Sequence, residues 1–375
     1  MKNYTSLEES LFRNRDAFEI DFVPEIFNFR EAQMKDIVYA IQPGMQGNRP
    51  INLVLRGLPG TGKTTAVRQI FSQIRTSTQR IIPIYINCQA EGSKYAVFAK
   101  IYASLHKHQP PAKGVTVLQL VHDLGKTLME REAVLLVCFD DANYLLPGNL
   151  LNNILYVLLR LGEEFPKARV GVILPMCNMD VDLRQALDPC VISVLQSDEV
   201  YFPPYREDEI GEILHDRIKA GLTPGAISNE IFSFIVDHTM RSGDIRVGLD
   251  LVKRSVMAAG RDGRSLVTKE DVVTSFKDSG NVHLIAAIRA LNTEDRRILG
   301  HIAGLSMEFQ PFLTTIAIFE YVNLSMQISQ SGLFERLRKF ADMRLLEFCQ
   351  LIGNGRVQAI ALRYDPVTVA RACLG

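Results

Sequence analysis

Eight consecutive residues, Gly57-Leu58-Pro59-Gly60-Thr61-Gly62-Lys63-Thr64, fit the pattern G-x-x-x-x-G-K-[ST]. The chemistry this spacing serves is triphosphate binding. The glycines let backbone N–H groups turn inward around phosphates, and the helix start that follows adds partial positive charge. Lys63 then reaches the β- and γ-phosphates, and Thr64 offers its hydroxyl to magnesium. The context is the required one, because the run Ile51 to Arg56 reads as a strand before the motif and a helical pattern follows it.

A magnesium carboxylate is expected at the end of another strand of the same sheet, and Val134 to Phe139 runs straight into Asp140-Asp141. Asp140 is the predicted metal ligand. Asp141 stands where a Glu usually polarises the attacking water, and being one methylene shorter it predicts slow hydrolysis. Two acids that only cap the following helix are the alternative. After the run Val170 to Leu174, Asn178 is the candidate for sensing the γ-phosphate, with a turn-forming role as its alternative. Ser242-Gly243-Asp244-Ile245-Arg246 opens a helix, and Arg246 is either a surface arginine or one that folds back onto the nucleotide.

The elements that position these groups follow from alternation. Ile51 to Arg56, Ile81 to Asn87, Val134 to Phe139, Val170 to Leu174 and Val200 to Phe202 are β-branched runs between longer helical patterns, which predicts a parallel α/β sheet. Beyond Pro203-Pro204 the pattern turns wholly helical for about seventy-five residues, with Thr268 to Asp271 reading as a capping box. A further change is placed near Gly280. Thr293 is predicted to cap a helix, Phe312 to Leu324 is apolar-rich, and Leu333, Phe334, Leu337, Phe340 and Ala341 share one face of a third helix. Strands at Leu345 to Ile352 and Val357 to Tyr364 flank an Asn354-Gly355 turn, and Asp365-Pro366 starts a last helix. Three helices and a hairpin are the order of a winged helix. The predicted boundaries are 1–205 for an α/β nucleotide-binding core, 206–280 for a helical lid and 281–375 for the winged helix.

In that last region the helix from Ser329 to Ala341 places Gln330, Ser331, Arg336, Arg338 and Lys339 off its apolar face, and Arg356 lies in the wing. Arg336, Arg338, Lys339 and Arg356 are the predicted contacts to DNA phosphates, with a solvated charged face as the alternative. Residues 281–375 hold ten Lys/Arg and eight Asp/Glu, a net of only +2, and residues 206–280 hold eleven and thirteen, a net of −2. The whole chain is neutral at 42 of each sign, so no global cationic field draws in a polyanion. At 375 residues, with 47% hydrophobic and 22% charged, composition suits two or three globular domains and excludes extended disorder. No apolar run is long enough for a bilayer, which predicts a cytoplasmic protein without a membrane partner. Cys88, Cys138, Cys177, Cys190, Cys349 and Cys373 are scattered and read as buried small hydrophobes rather than disulfides or zinc ligands.

In this order, strand, P-loop, Asp140, Asn178, Gly-Asp-Ile-Arg246 and a terminal winged helix, the chain resembles the archaeal replication initiators. These are AAA+ proteins related to the largest origin-recognition subunit and to the helicase-loading licensing ATPase. The likeness covers nearly the whole chain and includes Val23-Pro24-Glu25, Arg30-Glu31, Asn87-Cys88-Gln89, Leu187-Asp188-Pro189 and Tyr201 to Tyr205. It implies an ATP/ADP-switched origin binder with Mg2+ as cofactor. Double-stranded origin DNA, other initiator protomers and the replicative helicase are the implied partners, at the nucleoid. Lys63 and Thr64 would be Walker A, Asp140 and Asp141 Walker B, Asn178 sensor 1 and Arg246 sensor 2. Val23, Pro24 and Arg30 would lie near the adenine, and Thr65, Tyr205 and Arg217 complete the implied nucleotide set. The family also reaches DNA with an insertion in the core, placed loosely between Glu91 and Thr127. One departure matters: Asp188 to Tyr205, where AAA+ relatives offer an arginine finger, contains no Lys or Arg, and Cys190 takes the first such place. Fingers are worth roughly 10³ to 10⁵ in rate, so turnover is expected to be very slow. Two rivals stand beside this reading: another P-loop signalling or transposition helper, and a winged-helix regulator with a structural nucleotide.

Overall fold

Each apolar run ahead of Pro203 becomes a strand of one parallel sheet: Leu53–Arg56 (β1), Ile81–Asn87 (β2), Val134–Asp140 (β3), Arg169–Met176 (β4) and Asp198–Tyr201 (β5). The computed structural model describes residues 11–24, 27–111, 114–177, 181–308, 313–343, 345–353 and 355–374. The strand order is β2-β3-β4-β1-β5. β4 therefore lies between β1, which feeds the P-loop, and β3, which ends in Asp140. Every residue of β3 is buried, as a strand covered on both faces must be. Val54, Val137, Phe139 and Leu174 build one face, together with Val97, Ile101, Leu124, Leu128 and Ile154 of the helices Lys94–His106 (α3), Val117–Arg131 (α4) and Leu150–Leu159 (α5). The other face holds Leu55, Leu136, Cys138 and Ile173 against Ile37 and Ile41 of Glu31–Met45 (α1) and Val67 and Ile70 of Lys63–Ser77 (α2). A seven-residue helix, Pro189–Leu195 (α6), precedes β5.

β1 starts at Leu53 and not at Ile51, whose N–H donates to the Ala40 carbonyl of α1 at 2.9 Å, and between the two stands Asn52. Its amide donates to the Leu195 carbonyl and its side-chain oxygen accepts from Val172 N–H at 3.0 Å, tying the end of the helix that precedes β5 and the strand β4 to the entrance of β1. This sheet belongs to a compact unit of Glu25–Leu58 and Gly62–Pro203.

The second unit comprises Met1–Pro24, Pro59–Thr61 and Pro204–Gly375. Its lid consists of Glu207–Gly221 (α7), Asn229–Ser242 (α8), Ile245–Arg261 (α9) and Lys269–Arg289 (α10). The Thr268 capping box forms, with Asp271 accepting from Thr268 N–H at 2.8 Å. α10 runs on through Gly280 to Arg289 rather than changing there. Next come Thr293–Glu308 (α11), Leu313–Thr314 (β6), Thr315–Ser325 (α12), Gln330–Asp342 (α13), the hairpin Leu346–Gly353 (β7) and Gly355–Leu362 (β8), and Pro366–Leu374 (α14). The antiparallel order is β6-β8-β7, so the predicted winged-helix order is present.

Two local expectations differ. Asn292, not Thr293, caps α11, accepting from Asp295 N–H at 2.8 Å, because an Asn oxygen one residue earlier reaches the third helical N–H. The hairpin pairs Ile352 with Arg356, where a two-residue Asn354-Gly355 turn pairs Gly353 with Arg356; Asn354 itself lies outside the described residues. Asp365 does cap α14 through Thr368 N–H at 2.9 Å. Among the described residues no helix is long and apolar enough to cross a membrane.

Candidate nucleotide site and winged-helix surface

β1 ends at Arg56 and α2 begins at Lys63, so the glycine-rich residues between them form the tight connection the motif predicts. Gly62 caps α2 at φ 94° and Gly60 stands at φ 76°, left-handed values open to glycine without strain. Lys63 is 5% exposed, and its ammonium donates to the Gly57 carbonyl at 2.6 Å and the Leu58 carbonyl at 2.8 Å. The lysine thus closes the loop on itself from inside. Pro59, Gly60 and Thr61 complete the loop, and Thr65 continues into the first turn of α2.

Parallel pairing sets Asn87 of β2 beside Asp140 at the carboxyl end of β3, and ligand sites in such sheets gather at that edge. Asp140 is 7% exposed. It accepts from the Thr64 hydroxyl at 3.0 and 2.8 Å and from the Tyr85 hydroxyl at 2.5 Å. Burial pushes its carboxyl above the ordinary range, and the Asp141 charge adds to this, while the Tyr85 and Thr64 hydrogen bonds and Lys63 oppose it. Burial and the Asp140 charge push the Tyr85 phenol up in turn, and Arg68 stacks over its ring at 4.9 Å. A buried carboxylate beside a hydroxyl is a hard oxygen pair that suits Mg2+, which takes few protein ligands and completes its shell with water and phosphate. The predicted metal pair, Thr64 and Asp140, is therefore brought together.

Asp141 takes the left-handed conformation at φ 55° and points elsewhere. Gln89 donates an amide N–H to one of its oxygens at 3.0 Å and the Cys177 thiol donates to the other at 3.3 Å. Asn178 lies outside the described residues. Tyr85 was not singled out by sequence, Gln89 entered only through the Asn87-Cys88-Gln89 stretch, and Cys177 was read as a small hydrophobe, whereas its thiol is a hydrogen-bond donor here. The only signal for Tyr85 was its place two residues before Asn87 on a strand bound to pair with β3.

Arg30 is 2% exposed, and its guanidinium donates to the Phe29 and Pro203 carbonyls, both at 2.6 Å. It ties the start of α1 to the chain leaving β5. In the second unit Arg217 stacks over Phe22 at 4.5 Å and donates to the Ala17 carbonyl at 3.3 Å. Burial lowers its pKa and the adjacent Tyr205 opposes that, so Tyr205, Arg217 and the chain just ahead of Val23 and Pro24 lie together. Arg246, in the first turn of α9, is held by Asp244, with Nε at 2.9 and 3.0 Å and Nη2 at 2.5 Å from the carboxylate. Asp244 also caps α9 through Arg246 N–H at 2.9 Å. Within this same unit a side chain on Gly60 would meet Asp244 Oδ1 at 2.1 Å, so only glycine fits beneath that carboxylate.

The Leu187-Asp188-Pro189 stretch is fixed by a reciprocal pair. Asn152 donates to the Asp188 carboxylate at 2.5 Å and accepts from Asp188 N–H at 2.8 Å. Cys88 and Cys138 are buried as expected, but Cys190, in the first turn of α6, is exposed, and Cys177 and Cys373 are half-buried.

On α13 the cations part company. Asp295, 2% exposed on α11, receives Arg336 Nε at 3.0 Å and Lys339 Nζ at 2.6 Å, and Arg336 also reaches Glu294 at 2.7 Å. Burial brings the Lys339 ammonium down to about 8. Arg336 and Lys339 therefore anchor α13 to α11. Arg338 is exposed and lies over the Phe334 ring at 4.7 Å, with Gln330 and Ser331 also exposed on this helix. Arg356 lies in β8, and its side chain is outside the described residues.

Comparison with known proteins follows the same outline. Residues 48–184 match the AAA domain family, and residues 211–277 match the Cdc6 AAA+ ATPase-type lid domain. The chain is 35% identical to ORC1-type DNA replication protein 2 of Methanothermobacter thermautotrophicus over 93% of this chain and 90% of that one. It is 32% identical to ORC1-type DNA replication protein 6 of Halobacterium salinarum over 96% of both. Its fold resembles the Aeropyrum pernix ORC2 protein in its ADPNP-ADP complexes, with a TM-score of 0.71, 18% identity and coverage of 97% and 98%. The Aeropyrum pernix ORC1 protein in complex with DNA has a TM-score of 0.64, 23% identity and coverage of 97% and 96%.

Proposed function

The chain belongs to the archaeal ORC1/Cdc6-type family of AAA+ DNA replication initiators, and from that premise we propose that it recognises origin DNA and is switched by bound ATP or ADP. The observation that carries this reading is the set Lys63, Thr64 and Asp140 gathered at the carboxyl edge of the sheet. Mg2+ held by Thr64 and Asp140 would supply charge neutralisation to the bound polyphosphate. Lys63 exchanges the Gly57 and Leu58 carbonyls for phosphate oxygens. Thr64 and Asp140 hold the metal, and Tyr85 orients Asp140. Asn178 and Arg246 report on the γ-phosphate, and Val23, Pro24, Tyr205 and Arg217 border the base. Arg30 supports that border through its two carbonyl contacts.

Residues 1–205 act as the core, 206–280 as the lid and 281–375 as the winged helix that grips duplex DNA. Arg338 and the wing residue Arg356 meet phosphates, while Arg336 and Lys339 hold α13 in place. Further protomers and the replicative helicase are the protein partners, in the cytoplasm at the nucleoid. Hydrolysis is very slow, because Asp141 is short and engaged and no Lys or Arg lies between Asp188 and Tyr205. Those same two features favour a second reading, a DNA-binding regulator whose nucleotide is structural.

Footprinting of the purified protein on DNA flanking its own gene, with ATP, with ADP and with neither, tests the proposal. Discrete protected sites whose extent changes with the nucleotide are expected. Protection that ignores sequence, or is identical in all three conditions, overturns the reading.

A further inference from the structure

The last carbonyls of a helix have no partner within it. At the end of α8 two of them are taken by the winged-helix region: Arg363 donates to the Met240 carbonyl at 3.0 Å, and the Tyr364 hydroxyl donates to the Ser242 carbonyl at 2.9 Å. Both donors directly follow β8, the returning strand of the wing. Arg363 is fixed there, since its N–H donates to the Leu345 carbonyl at 3.1 Å and its guanidinium pairs with Glu347 of β7 at 3.3 Å. The base of the wing is thus the C-terminal cap of a lid helix.

What lies beyond that cap is the Arg246 cluster. Ser242 Oγ donates to the Thr239 carbonyl at 2.7 Å and accepts from Asp244 N–H at 3.4 Å. Gly243, at φ 73°, makes the reversal, and Asp244 then holds Arg246. From Tyr364 to the Arg246 guanidinium the path is short, hydrogen-bonded at each step and contained in one compact unit.

We propose that Arg363 and Tyr364 are positioning residues that couple the winged helix to Arg246, so that DNA on the wing and nucleotide at the sensor arginine alter each other's binding. This rests on the switch reading above and adds its physical route. The Asp244 carboxylate holds the Arg246 guanidinium, and a phosphate would compete with it for that group. Any shift of the wing base moves the Ser242 carbonyl, which is followed two residues on by the Asp244 carboxylate, and so biases that competition. Two sites that bias one two-state element are linked, and the linkage is reciprocal.

The test measures affinity for a labelled duplex cut from the footprinted region, with Mg-ADP and with Mg-AMPPNP, in wild type, Tyr364→Phe, Arg363→Met and Arg363→Lys. The wild-type ratio of the two affinities is expected in the range of about 5 to 150 usual for allosteric coupling. In Tyr364→Phe and Arg363→Met the ratio falls several-fold toward one, while DNA binding without nucleotide stays within about twofold of wild type, as for a lost hydrogen bond distant from either ligand. Arg363→Lys retains more of the ratio than Arg363→Met. In an Arg246→Ala background Tyr364→Phe changes the ratio no further, a result that a merely structural role does not produce. Should Tyr364→Phe fail to fold, the Met and Lys pair at 363 decides. Variants that keep the wild-type ratio overturn the coupling alone. A wild-type ratio of one overturns the switch and this route with it.

Discussion

Asp140→Asn separates what the magnesium site does from what it costs. Asp140 is buried, its carboxylate accepts from the Thr64 and Tyr85 hydroxyls, and its carboxyl is pushed above the ordinary 3.8 chiefly by that burial. A group whose folded pKa is raised stabilises the fold below the unfolded value and loses that stability as pH rises through the folded value. At neutral pH the nucleotide-free protein therefore carries an unfavourable charge, and neutral Asn of nearly the same shape relieves it. The gain is of order 1 kcal/mol, on the scale of partly compensated polar burial, which raises Tm by about 2–4 °C for a unit of this size. Both hydroxyls can rotate to serve an amide, so their hydrogen bonds persist. The same change removes a carboxylate from a divalent cation and lowers Mg-ATP affinity by about 2–4 kcal/mol, or roughly 30- to 1000-fold. Thermal scans of both proteins from pH 4 to 8, with and without Mg-ATP, read both effects. The variant should melt higher alone at pH 8, converge with wild type as pH falls toward 4, and lose the Mg-ATP shift that wild type shows. A variant that melts lower alone and keeps the full shift refutes the reasoning.

Other outcomes follow from the same geometry. Arg338→Ala should weaken DNA binding and flatten its dependence on log salt by about one unit, as measured by anisotropy titration across salt concentrations; an unchanged slope makes Arg338 a solvated surface residue. Lys339→Ala should leave that slope unchanged and instead destabilise the winged helix by about 1–3 kcal/mol, because Asp295 stays buried with one cation fewer, and chemical denaturation reads this. Multiple-turnover hydrolysis should stay below about one per minute, as expected without an arginine finger; a faster rate in a phosphate-release assay contradicts the roles given to Asp141 and to the segment 188–205.

What was legible in the sequence is what is local. The P-loop, the strand that delivers Asp140, the Thr268 capping box and the helix–helix–helix–hairpin order each depend on neighbours in the chain, and the structure has them. What was not legible depends on partners far away in sequence. Tyr85 meets Asp140 across fifty-five positions, and Arg336 and Lys339 meet Asp295 across more than forty, so their charges read as a free basic face until the fold brought α11 under α13. Arg30 could be assigned to a ligand by family likeness, but its two carbonyl partners emerge only once β5 runs beside α1. α10 runs unbroken through Gly280, because one glycine inside a helix costs only about 1 kcal/mol, so no break in the helical pattern marks the change of region placed there.

The central claim is that nucleotide governs the grip on origin DNA, and Lys63→Ala tests it most directly. The variant loses the ammonium that reaches the phosphates while the sheet around it remains, so its melting temperature should stay within a few degrees of wild type. Affinity for the footprinted duplex and for a scrambled one, measured with Mg-ATP and Mg-ADP, should differ between nucleotides in wild type and become indifferent to them in the variant. A folded Lys63→Ala protein that no longer binds nucleotide, yet keeps wild-type affinity and discrimination for the origin duplex, contradicts the account.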